Sequence, residues 1–178
     1  MALSTFQGPV RSLNGFISSG PGSVATISGS TATLDVTNYS GRIVSITAAT
    51  TTITLPVINA TADPVSSGPG SDPNTLNNLG TVYMFFFAVN AAAVKIKCGG
   101  NGTPGDLLLG TVDLATAGGT SSLFAPNGSS NDVMNFNGGT TGGVAGSYVT
   151  VQAVAANKWL VIGQVIGVGS LVTPFADA

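Results

Sequence analysis

The residues able to carry chemistry are few. Seven aspartates, five basic residues (Arg11, Arg42, Lys95, Lys97 and Lys158) and one cysteine, Cys98, make up the charged and thiol inventory, and histidine and glutamate are absent. Without those two residue types a Ser-His-Asp triad, a Cys-His dyad, a histidine metal cluster or a glutamate-dependent glycosidase cannot be assembled. Two close aspartates could still support aspartic protease or glycosidase chemistry, but the aspartates are scattered, mostly in turn contexts where a carboxylate caps backbone amides. A Ser-Lys pair would need one of the three lysines beside a serine in a strained glycine elbow, and no serine has that setting. Gly100-Asn-Gly102-Thr-Pro-Gly105 matches G-x-G-x-x-G after a predicted strand. A dinucleotide site needs a helix next, to present its N-terminus to phosphate. Asp106-Leu-Leu-Leu-Gly-Thr-Val112 reads instead as a strand, so a tight turn is expected.

The remaining motifs are equally bare. One cysteine forms no intrachain disulfide and no thiolate cluster. The Asn-x-Ser/Thr sequons at Asn38, Asn59, Asn101 and Asn127 are chance matches in a chain this rich in Asn, Ser and Thr. The Asp63-Asp72 stretch lacks the D-x-[DN]-x-[DN]-G spacing of a calcium loop. The expectation is a protein that is not an enzyme, with no catalytic residue, no metal and no cofactor.

The elements available to position side chains are strands. Short runs rich in Val, Ile, Thr and aromatics alternate with Gly, Pro, Asn and Ser clusters, which is strand and turn chemistry. Strands are predicted near Val24-Ile27, Ala32-Val36, Arg42-Thr47, Thr51-Leu55, Val82-Val89, Val94-Cys98, Leu107-Val112, Val133-Phe136, Tyr148-Val154 and Trp159-Val165. In RIVSIT, Ile43, Ser45 and Thr47 point one way and Val44 and Ile46 the other, so that strand has one wet face. Lys95 and Lys97 share a face for the same reason. VYMFFFAV (Val82-Val89) shows no alternation and predicts a central strand buried on both faces, between two sheets or between a sheet and a neighbouring subunit. Tyr148-Val154 and Trp159-Ile162 predict a hairpin. Asp63-Asn78 and Gly118-Gly146 read as long glycine-rich surface loops. No fixed-period repeat or heptad is visible, which sets solenoid and coiled-coil architectures aside.

Composition narrows the class. A chain of 178 residues suits one domain, taken as residues 23–178 behind an extended N-terminal arm, residues 1–22. The fold class expected is all-β, an antiparallel β-sandwich or jelly-roll-like barrel. Charged residues make up only 7% of the chain, the formal net charge is -2, and mean hydropathy is +0.43. Typical soluble domains carry about 25% charge. No basic footprint for nucleic acid is present. The apolar runs are too short to span a bilayer, and MALSTFQGPV lacks the basic and apolar regions of a secretory signal, so a soluble, unexported protein with no membrane partner is expected. A monomer this apolar would expose large patches, which implies a homo-oligomer, a trimer in preference to a dimer. Tyr83, Phe85, Phe87 and Trp159, from the two richest apolar runs, are the candidate oligomer interface. In the arm, Phe6, Pro9, Val10, Arg11 and Phe16 are the candidate partner-docking residues, because aromatics and Arg dominate interface energetics.

The opening LSTFQGPVRSLNGF (Leu3 to Phe16), with its phenylalanine, Gly-Pro, basic residue and Asn-Gly-Phe, resembles the start of small head proteins of tailed bacteriophages from marine and freshwater bacteria. Gly80-Thr-Val-Tyr83 opening an apolar strand, Gly105-Asp106 before a leucine-rich strand, and the closing Lys158-Trp-Leu-Val-Ile-Gly163 are similar in style. The family is that of capsid decoration, or cement, proteins. The resemblance implies a virion structural protein on the outer capsid surface, assembled in the host cytoplasm, with the major capsid protein as partner, stabilising contacts between capsomers. A head fibre or other receptor- or carbohydrate-binding virion protein is the alternative.

Overall fold

Alternation of inward and outward side chains along short strands builds the protein. The computed structural model describes residues 19–61, 76–100 and 105–178. Val24–Ile27 (β1), Thr31–Thr33 (β2), Ile43–Ile46 (β3), Thr50–Thr54 (β4), Val82–Phe87 (β5) and Ala93–Lys97 (β6) come first. Leu107–Thr116 (β7), Ser121–Phe124 (β8), Val133–Phe136 (β9), Tyr148–Ala155 (β10), Lys158–Gly167 (β11) and Phe175–Ala176 (β12) follow. Helix among the described residues is limited to a 3₁₀ turn at Pro21–Ser23 and one α turn, Val36–Tyr39 (α1). The fold is all-β.

The strands form a seven-stranded sheet, β1-β3-β5-β10-β11-β7-β8, and a five-stranded sheet, β12-β9-β6-β4-β2. The expected antiparallel arrangement is corrected here, because both sheets are mixed. β1, β3 and β5 are parallel, β2, β4 and β6 are parallel, and β7 is parallel to β11. Within the first six strands the chain passes from the first sheet to the second three times, β1 to β2, β3 to β4 and β5 to β6, and each turn lies against the one before. Ile27, Ile46 and Phe87 thus stand side by side in one sheet, and Ala32, Ile53 and Ile96 in the other. The connections stack as well. Thr47 N–H donates to the Ile27 carbonyl at 2.9 Å and Ala88 N–H to the Ile46 carbonyl at 3.0 Å, so each corner satisfies the one below it. No fixed period announces this winding because residues 55–81 intervene between the second turn and the third.

The winding stops where the chain reverses. β10 runs antiparallel beside β5, and β9 antiparallel beside β6. The expected β10–β11 hairpin is present, with Ala155 paired to Lys158 across a two-residue turn in which Asn157 holds φ 59, a conformation asparagine tolerates. The strand expected at Ala32-Val36 ends early. Asp35 caps α1 instead, its carboxylate accepting from Asn38 N–H at 2.6 Å and from the Asn38 side chain at 2.8 Å.

Gly118-Gly146 is not the loosely packed loop expected. It contains β8 and β9, and its end is built into the body: Asn137 Oδ1 accepts from the amides of Gly139 and Thr141 at 2.8 and 3.1 Å. Gly142 and Gly143 are buried at φ 77 and 96, where a Cβ would collide with Val165 and Leu114 at the first and with Ala91 and Phe136 at the second. Only glycine satisfies both demands.

The inner faces of the two sheets share one hydrophobic core. Phe87 of the larger sheet and Phe136 of the smaller meet edge-on, ring centroids 5.1 Å apart and planes at 70°. β6 shows the phase most plainly: Val94 and Ile96 are buried and Lys95 is exposed. Ile96→Ala is expected to cost about 2–5 kcal/mol, and its neighbour Lys95→Ala less than about 0.5 kcal/mol. Urea unfolding of the two variants measures both values, and equal losses would contradict this phase.

Candidate interaction surface

β5 carries the VYMFFF sequence, and its burial alternates after all. Tyr83, Phe85 and Phe87 are fully buried, whereas Met84 and Phe86 are 38% and 40% exposed. The pattern escapes hydropathy because both faces of the strand are apolar. The expectation of burial on both faces is therefore corrected for the single chain, and with it the assigned interface. Tyr83, Phe85, Phe87 and Trp159 form the core and cannot contact a partner. The rings of Tyr83 and Trp159 lie 6.0 Å apart at 46°. The other proposed docking residues, Phe6, Pro9, Val10, Arg11 and Phe16, lie outside the described residues. So does most of Asp63-Asn78. Its last residue, Asn78, is buried, accepts from Asn59 N–H and donates to the Val57 carbonyl, both at 2.8 Å.

What the strands present outward is the residue set one position out of phase. Register-paired residues point to the same side of a sheet. One row across the outer face of the larger sheet reads Val24, Ile43, Met84, Thr150, Ile162, Thr111, over six strands from β1 to β7. The next row reads Thr26, Ser45, Phe86, Tyr148, Gln164 and Asp113 and ends at Leu123 on β8. Tyr148 donates its hydroxyl to Gln164 Oε1 at 3.1 Å. Ile162 is 59% exposed and Leu123 68%. Asp113 and Lys158 are the only charged residues of these strands on this side. Toward the β1 edge lies a hollow of about 310 Å³ lined by Ser23, Gly41, Arg42, Ile43, Val82 and Met84.

The outer face of the smaller sheet is chemically opposite. Its corresponding rows read Thr31, Thr52, Lys95, Asn135 and Thr33, Thr54, Lys97, Val133, the last of these buried. Threonine and lysine make a face that water covers well. The sharing of one face by Lys95 and Lys97 is as expected from their spacing. The contrast shows which side of this molecule is built for solvent.

A signal for the correct phase was present in KWLVIGQVIG. Lys158 and Gln164 share phase with Leu160, Ile162 and Ile166, which sets that set outward and Trp159, Val161 and Val165 inward. β5 has no polar residue to mark its phase, and side-chain size alone favours the aromatics.

Asp106 is buried just before β7, and its Oδ2 accepts from Ile58 N–H at 2.9 Å. β7 is a strand where a dinucleotide site would need a helix. Among the described residues no group of three His, Cys, Asp or Glu could hold a metal ion, and no helix is long and apolar enough to cross a membrane. Burial pushes the Cys98 thiol well above its usual range, with the carboxylates of Asp106 and Asp132 adding to the effect. Burial does the same to the Tyr83 phenol, reinforced by Asp35. Among the described residues the Tyr83 hydroxyl and Trp159 Nε1 have no hydrogen-bond partner.

No family model, curated protein or solved structure matches the chain. What the fold defines is an all-β body of two mixed sheets with one wet outer face and one apolar one.

Two expectations follow for solution behaviour. The thiol and phenol are raised in the folded state, so the unfolded chain releases their protons first; stability is complete below about pH 8.5 and falls as pH rises past the unfolded cysteine and then tyrosine values, near 8.5 and 10. Each group contributes a slope of at most about 1.4 kcal/mol per pH unit. Urea midpoints from pH 7 to 10.5 test this, and Cys98→Ala should delay the onset toward pH 10; a flat profile contradicts the assignment. Tyr83→Phe removes an unpaired buried hydroxyl and should leave stability at pH 7 unchanged or slightly raised. A loss above about 1 kcal/mol in the same assay would show that the hydroxyl is paired.

Proposed function

We propose that this protein is a structural component of a bacteriophage virion, a decoration protein that binds the outer capsid surface as a homo-oligomer and stabilises contacts between capsomers of the major capsid protein. The observation that supports the reading best is the outer face of the seven-stranded sheet: Val24, Ile43, Met84 and Ile162 stand exposed in one row, with Phe86 and Leu123 in the next, across a body whose opposite face is rich in threonine and lysine. A chain with such a face acts by burying area against other chains. Histidine and glutamate, the usual acid-base residues, are missing from the whole sequence. The resemblance of LSTFQGPVRSLNGF and KWLVIG to the cement proteins of tailed phages supplies the kind of shell.

In this reading the segment carrying Phe6, Pro9, Val10, Arg11 and Phe16 docks on the shell, and the two-sheet body keeps its spacing as the capsid expands. A chain lacking residues 1–16 should keep its strand signal in circular dichroism and its oligomeric state. It should bind empty capsids about thirty- to a thousandfold more weakly, the loss of two buried anchors at about 2–4 kcal/mol. Electron microscopy of particles with and without the protein gives the readout. Undiminished occupancy by the truncated chain would remove the docking role from this segment. Absence of the full chain from the particle surface, together with reproducible binding on a glycan array, would replace decoration with the head-fibre alternative.

A further inference from the structure

The apolar face calls for an occupant, and its own features select one. Because β10 is the middle strand of seven, a two-fold axis running along it in the plane of contact lays β5 of each copy over β11 of the other, and β3 over β7. Met84 then opposes the partner's Ile162, and Thr150 meets its own counterpart on the axis, since all three lie in one row. Shape agrees with this. Ile162 is the prominent apolar knob of its strand, at 59% exposure, and the hollow beside Met84 receives it. Charge agrees as well. Asp113 and Lys158 both lie on the β7 side of β10, so the axis sets neither against itself. Asp113 rides on β7 in the row that ends at Ser45 of β3, so it comes to lie over the partner's Ser45, a neutral polar residue. Seven strands spaced about 4.8 Å apart, with about 20–25 Å of usable strand length, cover on the order of 700 Å² per copy. That is close to the roughly 800 Å² per partner of a stable interface.

We infer that the outer face of the seven-stranded sheet is the contact between two copies of this chain, stacked about a two-fold axis along β10, with Ile162 of each entering the hollow beside Met84 of the other. A sheet face that meets its own copy is isologous and closes as a pair. The dimer therefore takes the place of the trimer expected from composition. This assignment rests on the reading that the protein works by burying surface against other chains, and it leaves the shell contact to other residues.

Sedimentation equilibrium on the full chain tests the pairing. The wild type should sediment at twice 17.5 kDa at micromolar concentration, and Ile162→Lys should sediment at 17.5 kDa with an unchanged strand signal, its dimer weakened at least a hundredfold. Thr52→Lys, the same change on the wet face, should remain dimeric. Should Ile162→Lys misfold, Thr150→Cys keeps the question open to measurement. A short bismaleimide should link it into a covalent dimer, while Thr52→Cys stays unlinked. A monomeric wild type, a dimer that survives Ile162→Lys, or a failure of Thr150→Cys to cross-link each overturns the pairing. Capsid binding separates this from the decoration reading. A monomeric wild type that loses capsid binding on Ile162→Lys would assign the face to the shell, overturning the pairing and keeping decoration. A dimer with no affinity for capsids supports the pairing and removes decoration.

Discussion

Everything in this structure depends on two inner sheet faces being covered at once by each other. The inner side of each sheet is apolar and cannot be left in water, and the edge-on contact of Phe87 with Phe136 marks where the two meet. Burying both faces fixes the phase of every strand, since a slip of one residue would turn a whole row to the wrong side. The winding of the first six strands follows from the same demand. A chain that crosses between the sheets at each short corner adds one inward row to each per turn. The stacks Ile27-Ile46-Phe87 and Ala32-Ile53-Ile96 are the result.

Most strands were legible in the sequence, and their connectivity was not. β-branched runs bounded by glycine and proline located β1, β3 and β4 to within a residue, and the β10–β11 hairpin was evident from the short polar loop Ala155-Lys158, of which the structure keeps only the middle two residues as the turn. Alternation says which residues share a face but carries no sign of whether the neighbouring strand runs the same way. Parallel pairing here requires crossing to the other sheet and back, and TISGSTATL and SITAATTTITL do resemble one another at their corners. The third turn is set apart by residues 55–81, which hides the period. β8 and the buried glycines near Gly142 were obscured for a different reason. Glycine reads as loop by composition, although here it permits close approach of packed segments.

The candidate surface was half legible. The two richest apolar runs do supply it, but through the residues that hydropathy ranks second. Aromatic bulk pointed to Tyr83, Phe85, Phe87 and Trp159, which the fold needs for its core. Their neighbours Met84, Phe86 and Ile162 remain outside because alternation leaves them there. Phase can be read only where a polar residue breaks the run, as Gln164 does in β11. Each outer face carries two charged strand residues, Lys95 and Lys97 of like sign on the smaller sheet and Asp113 and Lys158 of opposite sign on the larger. Lysine and threonine gather on the smaller sheet, and the larger one is left almost neutral.

The parallel first turn has a mechanical side. β1 is an edge strand whose described neighbour is the parallel β3, matched from Val24 to Ile27. A pull on the chain ahead of β1, directed along the strand, loads all the hydrogen bonds of that pair together in shear rather than opening them one at a time as peeling would. Behind β1, the corner at Thr47 and the row of Ile27 tie that load into the next turn. Tension on the N-terminal segment would thus be shared by successive turns of the winding, and the first to yield would be a block of bonds, giving a sharp force threshold in place of gradual fraying.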